Sequence, residues 1–247
     1  MKVLFLIQSC DKDRYLNEEK ILRETYLTRI RKEDCYYFYR GGYDKHEIIG
    51  DVIQLNCTDD LNSTFRKTIM AMSIFKEKDY DFIIRINTSN WINMEMLYTS
   101  LSYINPESSE IIGTNLITNG NSSGIPFLRG NMLIFTKKSF KDLFDSISET
   151  VYTGIDDVSI GLNLCKQWTN CNIDYLKSIK VIKNKMYNKR LSVKDIKENA
   201  LIRCAEEIKK ANNSEIIKEI DNRYLESLNA KPEHPQIMTT ILGDLKL

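Results

Sequence analysis

A short apolar run that ends in a cluster of polar side chains constrains this chain more than any other stretch. Residues 82–86 read Phe-Ile-Ile-Arg-Ile, which is long enough for a buried central strand and too short for a helix. The polar residues Asn87, Thr88, Ser89 and Asn90 follow at once. In an open α/β sheet, ligands bind in the crevice at the carboxyl ends of such strands. The cluster is therefore either a ligand site or a turn whose side chains cap the next helix.

Strand and helix patterns alternate along most of the chain. Short apolar or aromatic runs predict strands at residues 3–7, 35–39, 51–55, 82–86, 110–114, 131–136 and 179–182. Apolar residues at helical spacing predict helices at residues 15–30, 61–78, 94–104, 139–147 and 156–168. This alternation is typical of crossover connections. The sequence thus predicts an α/β fold with a mixed, mostly parallel sheet flanked by helices.

The chain changes character after about residue 191. Two charge-rich helical patterns, at residues 194–209 and 214–228, precede a tail that contains Pro232 and Pro235. We expect a main domain at residues 1–190 and a helical C-terminal extension at residues 191–247 that packs on it.

Charge and cysteine usage exclude several functional classes. The formal net charge of the 247 residues is +1, so no overall field draws the chain to nucleic acid. Six scattered cysteines without a CxxC pair, and only two histidines, argue against structural zinc and favour reduced thiols. No apolar run is long enough to cross a bilayer, and the first apolar run is too short for a secretory signal. We expect a cytoplasmic protein; peripheral membrane contact stays open.

Two adjacent carboxylates open one of the predicted helices. Asp156 and Asp157 follow Gly154 at a position where backbone N–H groups and the helix dipole favour negative charge. Capping of the helix is one explanation of the pair. The other is that one carboxylate faces the crevice as a general base, taking a proton from an attacking hydroxyl. The local pattern leaves both open.

Several short motifs occur in an order that matches a known group of enzymes. They are Arg-Glu-Thr-Tyr at 23–26, Gly-Asp-Val-Ile at 50–53, the stretch 59–68 from Asp-Asp to Lys-Thr, and Asp-Asp-Val-Ser-Ile-Gly at 156–161. Their order, from about residue 2 to residue 168, resembles the fringe and β-1,3-galactosyltransferase group of GT-A glycosyltransferases. The resemblance implies a GT-A-like, Rossmann-like fold. It also implies transfer of a sugar from a nucleotide-diphosphate-sugar donor, with a UDP-sugar as the first candidate and with inversion at the anomeric carbon. The acceptor would be a hydroxyl of a glycan or glycolipid, as in polysaccharide biosynthesis.

The resemblance and the positions of the polar side chains together suggest a role for each candidate residue. Asp157 would be the base, and Asp156 would support it or orient the acceptor. Donor contacts are predicted for Gln8, Ser9, Arg23, Lys67, Arg85, Asn87, Thr88 and Ser89, with Arg85 on the diphosphate. Arg129 follows a flexible loop, where it would contact donor phosphate or acceptor, or simply enter a hairpin. Trp91 would either stack on the acceptor sugar or anchor the following helix in the core.

One departure from the group's pattern is large. Where the group has an acidic triplet that holds a divalent metal against the donor diphosphate, this chain has Asn87, Thr88 and Ser89. Neutral amides and hydroxyls bind Mg²⁺ or Mn²⁺ poorly, which argues against a bound metal. Either basic side chains neutralise the diphosphate, or the site binds a nucleotide sugar or glycan without transferring it. The basic candidates are Arg85, Lys183, Lys185, Lys189, Arg190 and Arg203.

Overall fold

The computed structural model describes residues 1–118, 124–146, 154–182, 184–186, 192–204 and 213–229. Its strands, in chain order, are β1 (Val3–Gln8), β2 (Cys35–Arg40), β3 (Glu47–Ile49), β4 (Val52–Gln54), β5 (Phe82–Asn87), β6 (Asn90–Ile92), β7 (Ile111–Gly113), β8 (Leu116–Ile117), β9 (Phe127–Leu128), β10 (Met132–Thr136), β11 (Ile179–Val181), β12 (Asn184–Met186) and β13 (Leu201–Arg203). Its helices are α1 (Asp13–Glu24), α2 (Thr64–Ser73), α3 (Met94–Ser102), α4 (Lys137–Ser146), α5 (Asp156–Asn170), α6 (Val193–Glu198) and α7 (Asn213–Asn229). Within these residues, no helix is long and apolar enough to cross a membrane.

Eight strands form one sheet in the order β11-β7-β10-β5-β1-β2-β4-β3. The central strands β5, β1, β2 and β4 are parallel, whereas β10 runs antiparallel to both of its neighbours and β3 runs antiparallel to β4. The predicted α/β fold with a mixed, mostly parallel sheet is confirmed. As a result, the carboxyl ends of the central strands share one edge with the residues that lead into β10.

Helices cover both faces of this sheet. Alternate residues of β1 point to opposite sides, so Val3 and Phe5 do not share a core with Leu4. The first core includes residues of α1, α3 and α7, and the second includes residues of α2, α4 and α5. The central strands are therefore buried on both faces, which explains why they read as continuous apolar runs.

The segment after residue 191 differs from the sequence prediction. The structure has α6 followed by β13 where the sequence predicted one helix over residues 194–209; residues 205–209 lie outside the described part. Ala200, Leu201 and Ile202 form a contiguous buried run, which suits a strand better than a one-sided helix. β13 pairs antiparallel with β6 and parallel with β12. Strand β6 was itself unexpected, since its residues follow a polar turn.

Two predicted helices are shorter than their apolar patterns suggested. Helix α1 ends at Glu24, and residues Tyr26–Arg29 continue as a 3₁₀ turn. The Thr25 hydroxyl donates to the carbonyl of Ile21 at 2.7 Å at this break. Helix α2 starts after the 3₁₀ turn Leu61–Ser63 and ends at Ser73. The expected end of α4 at residue 147 and the two prolines of the tail lie outside the described residues.

Candidate functional site

The polar turn after β5 and the start of α5 meet at the carboxyl edge of the sheet. The backbone N–H of Asn87 donates to the carbonyl of Asn131 at 3.1 Å. The preceding residue, Gly130, donates its N–H to Oδ2 of Asp157 at 2.7 Å. Two consecutive residues at the entry to β10 therefore join the turn to the carboxylate that the sequence predicted as a base.

Asp157 is held by backbone donors on both carboxylate oxygens. Its Oδ1 accepts from the N–H of Val158 at 2.8 Å, and its Oδ2 accepts from Gly130. The side chain stays partly exposed. Burial, followed by the charge of Asp156, raises the pKa of Asp157, against the opposing effects of the Gly130 N–H and of Arg85. A partly exposed carboxylate with a raised pKa suits proton transfer.

Asp156 is buried and faces into the protein. Its Oδ2 forms an ion pair with Nη2 of Arg85 at 2.5 Å and accepts from the Thr68 hydroxyl at 3.1 Å. Nη1 of Arg85 donates to the carbonyl of Gly130. Arg85 is only 2% exposed. The enclosed guanidinium has no surface to offer a diphosphate, so the predicted donor contact of Arg85 does not fit the structure.

The polar turn divides into buried and exposed side chains. Thr88 is buried, and its hydroxyl donates to Glu18 of α1. The Asn90 amide donates to the carbonyls of Asn87 and Asn131, each at 3.1 Å. The carbonyl of Ser89 accepts from the N–H of Cys204, just after β13, at 2.9 Å. Asn87 and Ser89 keep partly exposed side chains, so they are the turn residues placed to meet a ligand.

Lys67 organises the loop after β1. Its ammonium is buried, donates to the carbonyl of Ser9 at 2.8 Å and forms an ion pair with Asp59. Burial alone would raise the pKa of Asp59, but the hydrogen bonds from Lys67, Cys10 and the Asp11 N–H, together with the charge of Lys67, lower that pKa below its ordinary value. The Ser9 hydroxyl donates to Glu19 at 2.5 Å. Lys67 and Ser9 therefore shape the loop from within, whereas Gln8 beside them is only partly buried.

Arg23 belongs to an ion-pair network between α1 and the sheet. Its guanidinium lies 2.6 Å from Asp51 and 3.2 Å from Glu19, and it covers the ring of Phe38 at 4.3 Å. Asp51 precedes β4, whose first residue, Val52, pairs with Phe38 near the end of β2. Both charged partners of Arg23 are carboxylates of the protein itself, and its donor contact stays a prediction.

The predicted acceptor residues differ in exposure. Trp91 is fully buried, donates its indole N–H to Asp221 of α7 at 2.8 Å and packs against the ring of Tyr224. Its ring cannot stack on a sugar, so the prediction of an acceptor contact is corrected: Trp91 anchors α7 in the core. Arg129 is exposed and precedes Gly130, beside the candidate base. It remains a candidate ligand residue.

Two of the other basic candidates, Lys185 and Arg203, lie on described strands. Lys185 forms an ion pair with Asp195 at 2.5 Å. The backbone of Arg203 pairs with Asn90 in the β13–β6 ladder, next to the polar turn. Lys183, Lys189 and Arg190 lie outside the described residues.

The sequence did not identify Glu18 as part of the site, and it did not predict the contact of Gly130 with Asp157. Glu18 lies three and four residues before the buried Ile21 and Leu22, so the helical spacing could have predicted that its side chain faces inward. A Cβ on Gly130 would lie 3.0 Å from Oδ2 of Asp157, but no local sequence pattern predicts this close approach.

The turn does not fit a divalent metal ion. In the described part of the chain, no group of three or more His, Cys, Asp or Glu side chains is placed to hold one. The Thr88 hydroxyl is already engaged by Glu18. Hard cations favour charged oxygen ligands, and the neutral amides and hydroxyls of the turn are poor substitutes for them.

Similarity to known proteins is confined to the fold. No protein-family model matches the chain, and no curated protein matches its sequence. The crystal structure of a glycosyltransferase involved in the glycosylation of the major capsid of PBCV-1 aligns with a TM-score of 0.54 at 9% identity, covering 89% of this chain and 100% of that one. The fold is GT-A-like. The glycosyltransferase GlyE of Streptococcus pneumoniae TIGR4 aligns with a TM-score of 0.45 at 11% identity, over 96% of this chain and 66% of GlyE.

Proposed function

We propose that this chain is a glycosyltransferase that moves a sugar from a nucleotide-diphosphate-sugar donor to a hydroxyl of a glycan acceptor, with inversion. The observation that carries the proposal is the position of Asp157, a partly exposed carboxylate beside the polar turn at the carboxyl edge of the sheet. The fold supports the proposal at the level of architecture, because a capsid-glycosylating enzyme of PBCV-1 has a similar one.

The proposed chemistry is a single displacement. Asp157 takes the proton of the acceptor hydroxyl as that oxygen bonds to the anomeric carbon. The bond from the anomeric carbon to the diphosphate breaks, and the nucleoside diphosphate leaves with the bonding electrons. Burial and the charge of Asp156 raise the pKa of Asp157, which makes it a stronger base than an exposed aspartate. Asn87 and Ser89 would hydrogen-bond the ribose or the donor sugar.

The diphosphate would be neutralised by basic side chains instead of a metal. Arg129 is exposed next to Gly130. Arginine suits this task because its planar guanidinium matches two phosphate oxygens at once. Arg129 replaces Arg85 as our candidate for the leaving-group contact.

The test of the proposal is Asp157→Asn, compared with wild type on a panel of UDP-sugars. Calorimetry measures donor binding, and nucleotide release with and without glycan acceptors measures turnover. We expect donor affinity to stay within about twofold while transfer falls by roughly 100-fold or more, the usual scale of general-base loss. Asp145→Asn, on the exposed face of α4, is the matched control and should change neither.

The raised pKa of Asp157 also fixes the direction in which pH changes the stability of the protein. A carboxyl whose pKa is raised on folding binds a proton more readily in the folded state, so its ionised form lowers stability as pH rises above the unfolded value. Asp157→Asn removes this titration, so its unfolding temperature should fall less than that of wild type as pH rises through the range in which Asp157 ionises. Full transfer activity in Asp157→Asn would disprove the assignment of the base. Donor binding by wild type without any turnover would instead indicate a binding module.

A further inference from the structure

Arg85 connects three elements that meet at the candidate base. It lies on the central strand β5, with Nη2 on the Asp156 carboxylate of α5 and Nη1 on the Gly130 carbonyl at the entry to β10. It is almost completely buried, so these contacts form in a region of weak solvent screening. A surface role for this charge is excluded by its burial.

Both contacts of Arg85 lead directly to Asp157. Gly130, whose carbonyl Arg85 holds, donates its own N–H to Oδ2 of Asp157 at 2.7 Å. Asp156, which Arg85 pairs with, accepts the N–H of Asp157 on its Oδ1 at 3.0 Å. The guanidinium therefore contacts both the residue that donates to the carboxylate of the base and the residue whose side chain accepts the backbone N–H of the base.

The remaining partners of the ion pair come from α2 and β2. Thr68 donates to Asp156, and the hydroxyl of Tyr39 lies 3.0 Å from that of Thr68. Burial raises the pKa of Tyr39 to about 12, so this phenol stays neutral near pH 7. Within the described part of the chain, the charges that shift the pKa of Asp157 are Asp156 from its own helix and Arg85 from β5, with Tyr39 as the titratable neighbour of that pair.

We propose that the buried Arg85–Asp156 ion pair positions Asp157 and sets its strength as a base. The inference rests on the proposed role of Asp157 in proton transfer. Arg85 acts through Gly130 and Asp156 and is a positioning residue. This explains why the basic side chain of β5 points into the protein instead of toward a diphosphate.

The two charges of the pair act on Asp157 with opposite sign. After the effect of burial, Asp156 raises the pKa of Asp157 and Arg85 lowers it. Removing Arg85 alone leaves the negative charge of Asp156 unbalanced, so the pKa of Asp157 should rise. Removing Asp156 alone leaves the positive charge, so the pKa should fall. A purely structural role for the pair predicts neither shift.

The experiment compares pH–rate profiles of transfer for wild type, Arg85→Gln, Asp156→Asn and the double variant. We expect the acid limb to move up by roughly one pH unit in Arg85→Gln and down by about the same in Asp156→Asn. The double variant should return toward the wild-type limb. Arg31→Gln and Asp34→Asn, which break a matched ion pair at the amino end of β1, should lower stability without moving the limb.

A second readout does not require turnover. The side-chain carboxyl carbon of Asp157, assigned by its absence in Asp157→Asn, is titrated by ¹³C NMR in the same variants, and the shifts should have the same signs. If Arg85→Gln does not fold, Arg85→Lys keeps the charge but loses the two-pronged contact, and should lower the rate with the limb unmoved.

The outcomes separate the two claims. A uniform loss of rate at all pH values, with an unchanged Asp157 titration in both single variants, overturns the proposal that the ion pair sets the strength of Asp157 as a base. Opposed NMR shifts in a protein that turns over no donor would support the positioning role while refuting the proposed transferase function.

Discussion

The backbone N–H of Gly130 lies 2.7 Å from Oδ2 of Asp157. This contact is close enough that a Cβ on residue 130 would meet Oδ2 at 3.0 Å and the Cβ of Asp157 at 3.1 Å. A side chain at residue 130 would therefore push the Asp157 carboxylate by a few tenths of an ångström, whereas the backbone of this residue has no positive φ that would by itself favour glycine. The hydrogen bond and the lack of a side chain act together to set where the base lies.

Replacing Gly130 by alanine should displace the base. We expect Gly130→Ala to lower transfer by roughly 100-fold, because a shift of about 1 Å at a reacting group is enough for such a loss. Donor binding should change little. Steady-state kinetics on folded protein gives the measurement.

The control for this variant is Gly50→Ala. Gly50 has a φ of 60° in the β3–β4 turn, so alanine there should cost about 1 kcal/mol of stability without touching the site. Equal rate losses in the two variants would show that Gly130→Ala acts through stability alone.

Trp91→Phe should affect stability and leave the rate unchanged. The substitution keeps an aromatic ring but removes the indole N–H that Asp221 accepts at 2.8 Å. Loss of that hydrogen bond in a buried site should lower the free energy of unfolding by roughly 1–3 kcal/mol, measured by urea titration. Trp168→Phe, which removes an equally buried bond to Asp142 at 2.8 Å, is the matched control. An acceptor-specific rise in KM for Trp91→Phe alone would restore a sugar contact for Trp91.

Neighbouring residues of the polar turn should respond differently to substitution. Thr88→Val removes the hydroxyl that donates to the buried Glu18 and should destabilise the protein by about 1–3 kcal/mol. Ser89→Ala changes a partly exposed side chain, so stability should stay within about 0.5 kcal/mol while donor affinity falls. Thermal unfolding and donor calorimetry on both variants provide the comparison. Unchanged donor affinity in Ser89→Ala would remove Ser89 from the site.

Treatment with EDTA should leave transfer within about twofold of the untreated rate. The turn offers amide and hydroxyl groups, which are poor ligands for Mg²⁺ or Mn²⁺. The measurement is nucleotide release by dialysed protein, with and without added Mn²⁺, beside a metal-dependent transferase as the positive control. Activity lost to EDTA and restored by Mn²⁺ would mean that other carboxylates hold a metal.

The central strands and the edge that carries the site could be predicted from the sequence. A strand that is buried on both faces is mostly apolar along its length. The strand at residues 82–86 could therefore be predicted from its own sequence, without knowledge of the neighbouring strands. That strand prediction depends on a local pattern alone. The resemblance to GT-A glycosyltransferases, and not the local pattern, implied that the polar turn and Asp157 belong to one site.

Contacts between residues that are far apart in the sequence could not be predicted from it. Arg85 and Trp91 follow each other closely around the turn, yet both are buried by partners far along the chain, Asp156 and Asp221. A guanidinium at the end of a strand reads equally well as a ligand contact or as half of a buried ion pair. Only the position of its carboxylate partner decides, and that position is set by tertiary packing.

The pairing of β6 with β13 has a consequence for the order in which the chain folds. Trp91 meets Asp221 across 130 residues, and Glu18 meets Asn213 across 195. During synthesis the early strands can assemble while α7 is still missing, but the surroundings of the polar turn stay incomplete until α7 has emerged. Closing such large loops is slow compared with local pairing. The polar turn therefore reaches its final surroundings late in the synthesis of the chain, after α7 has been made.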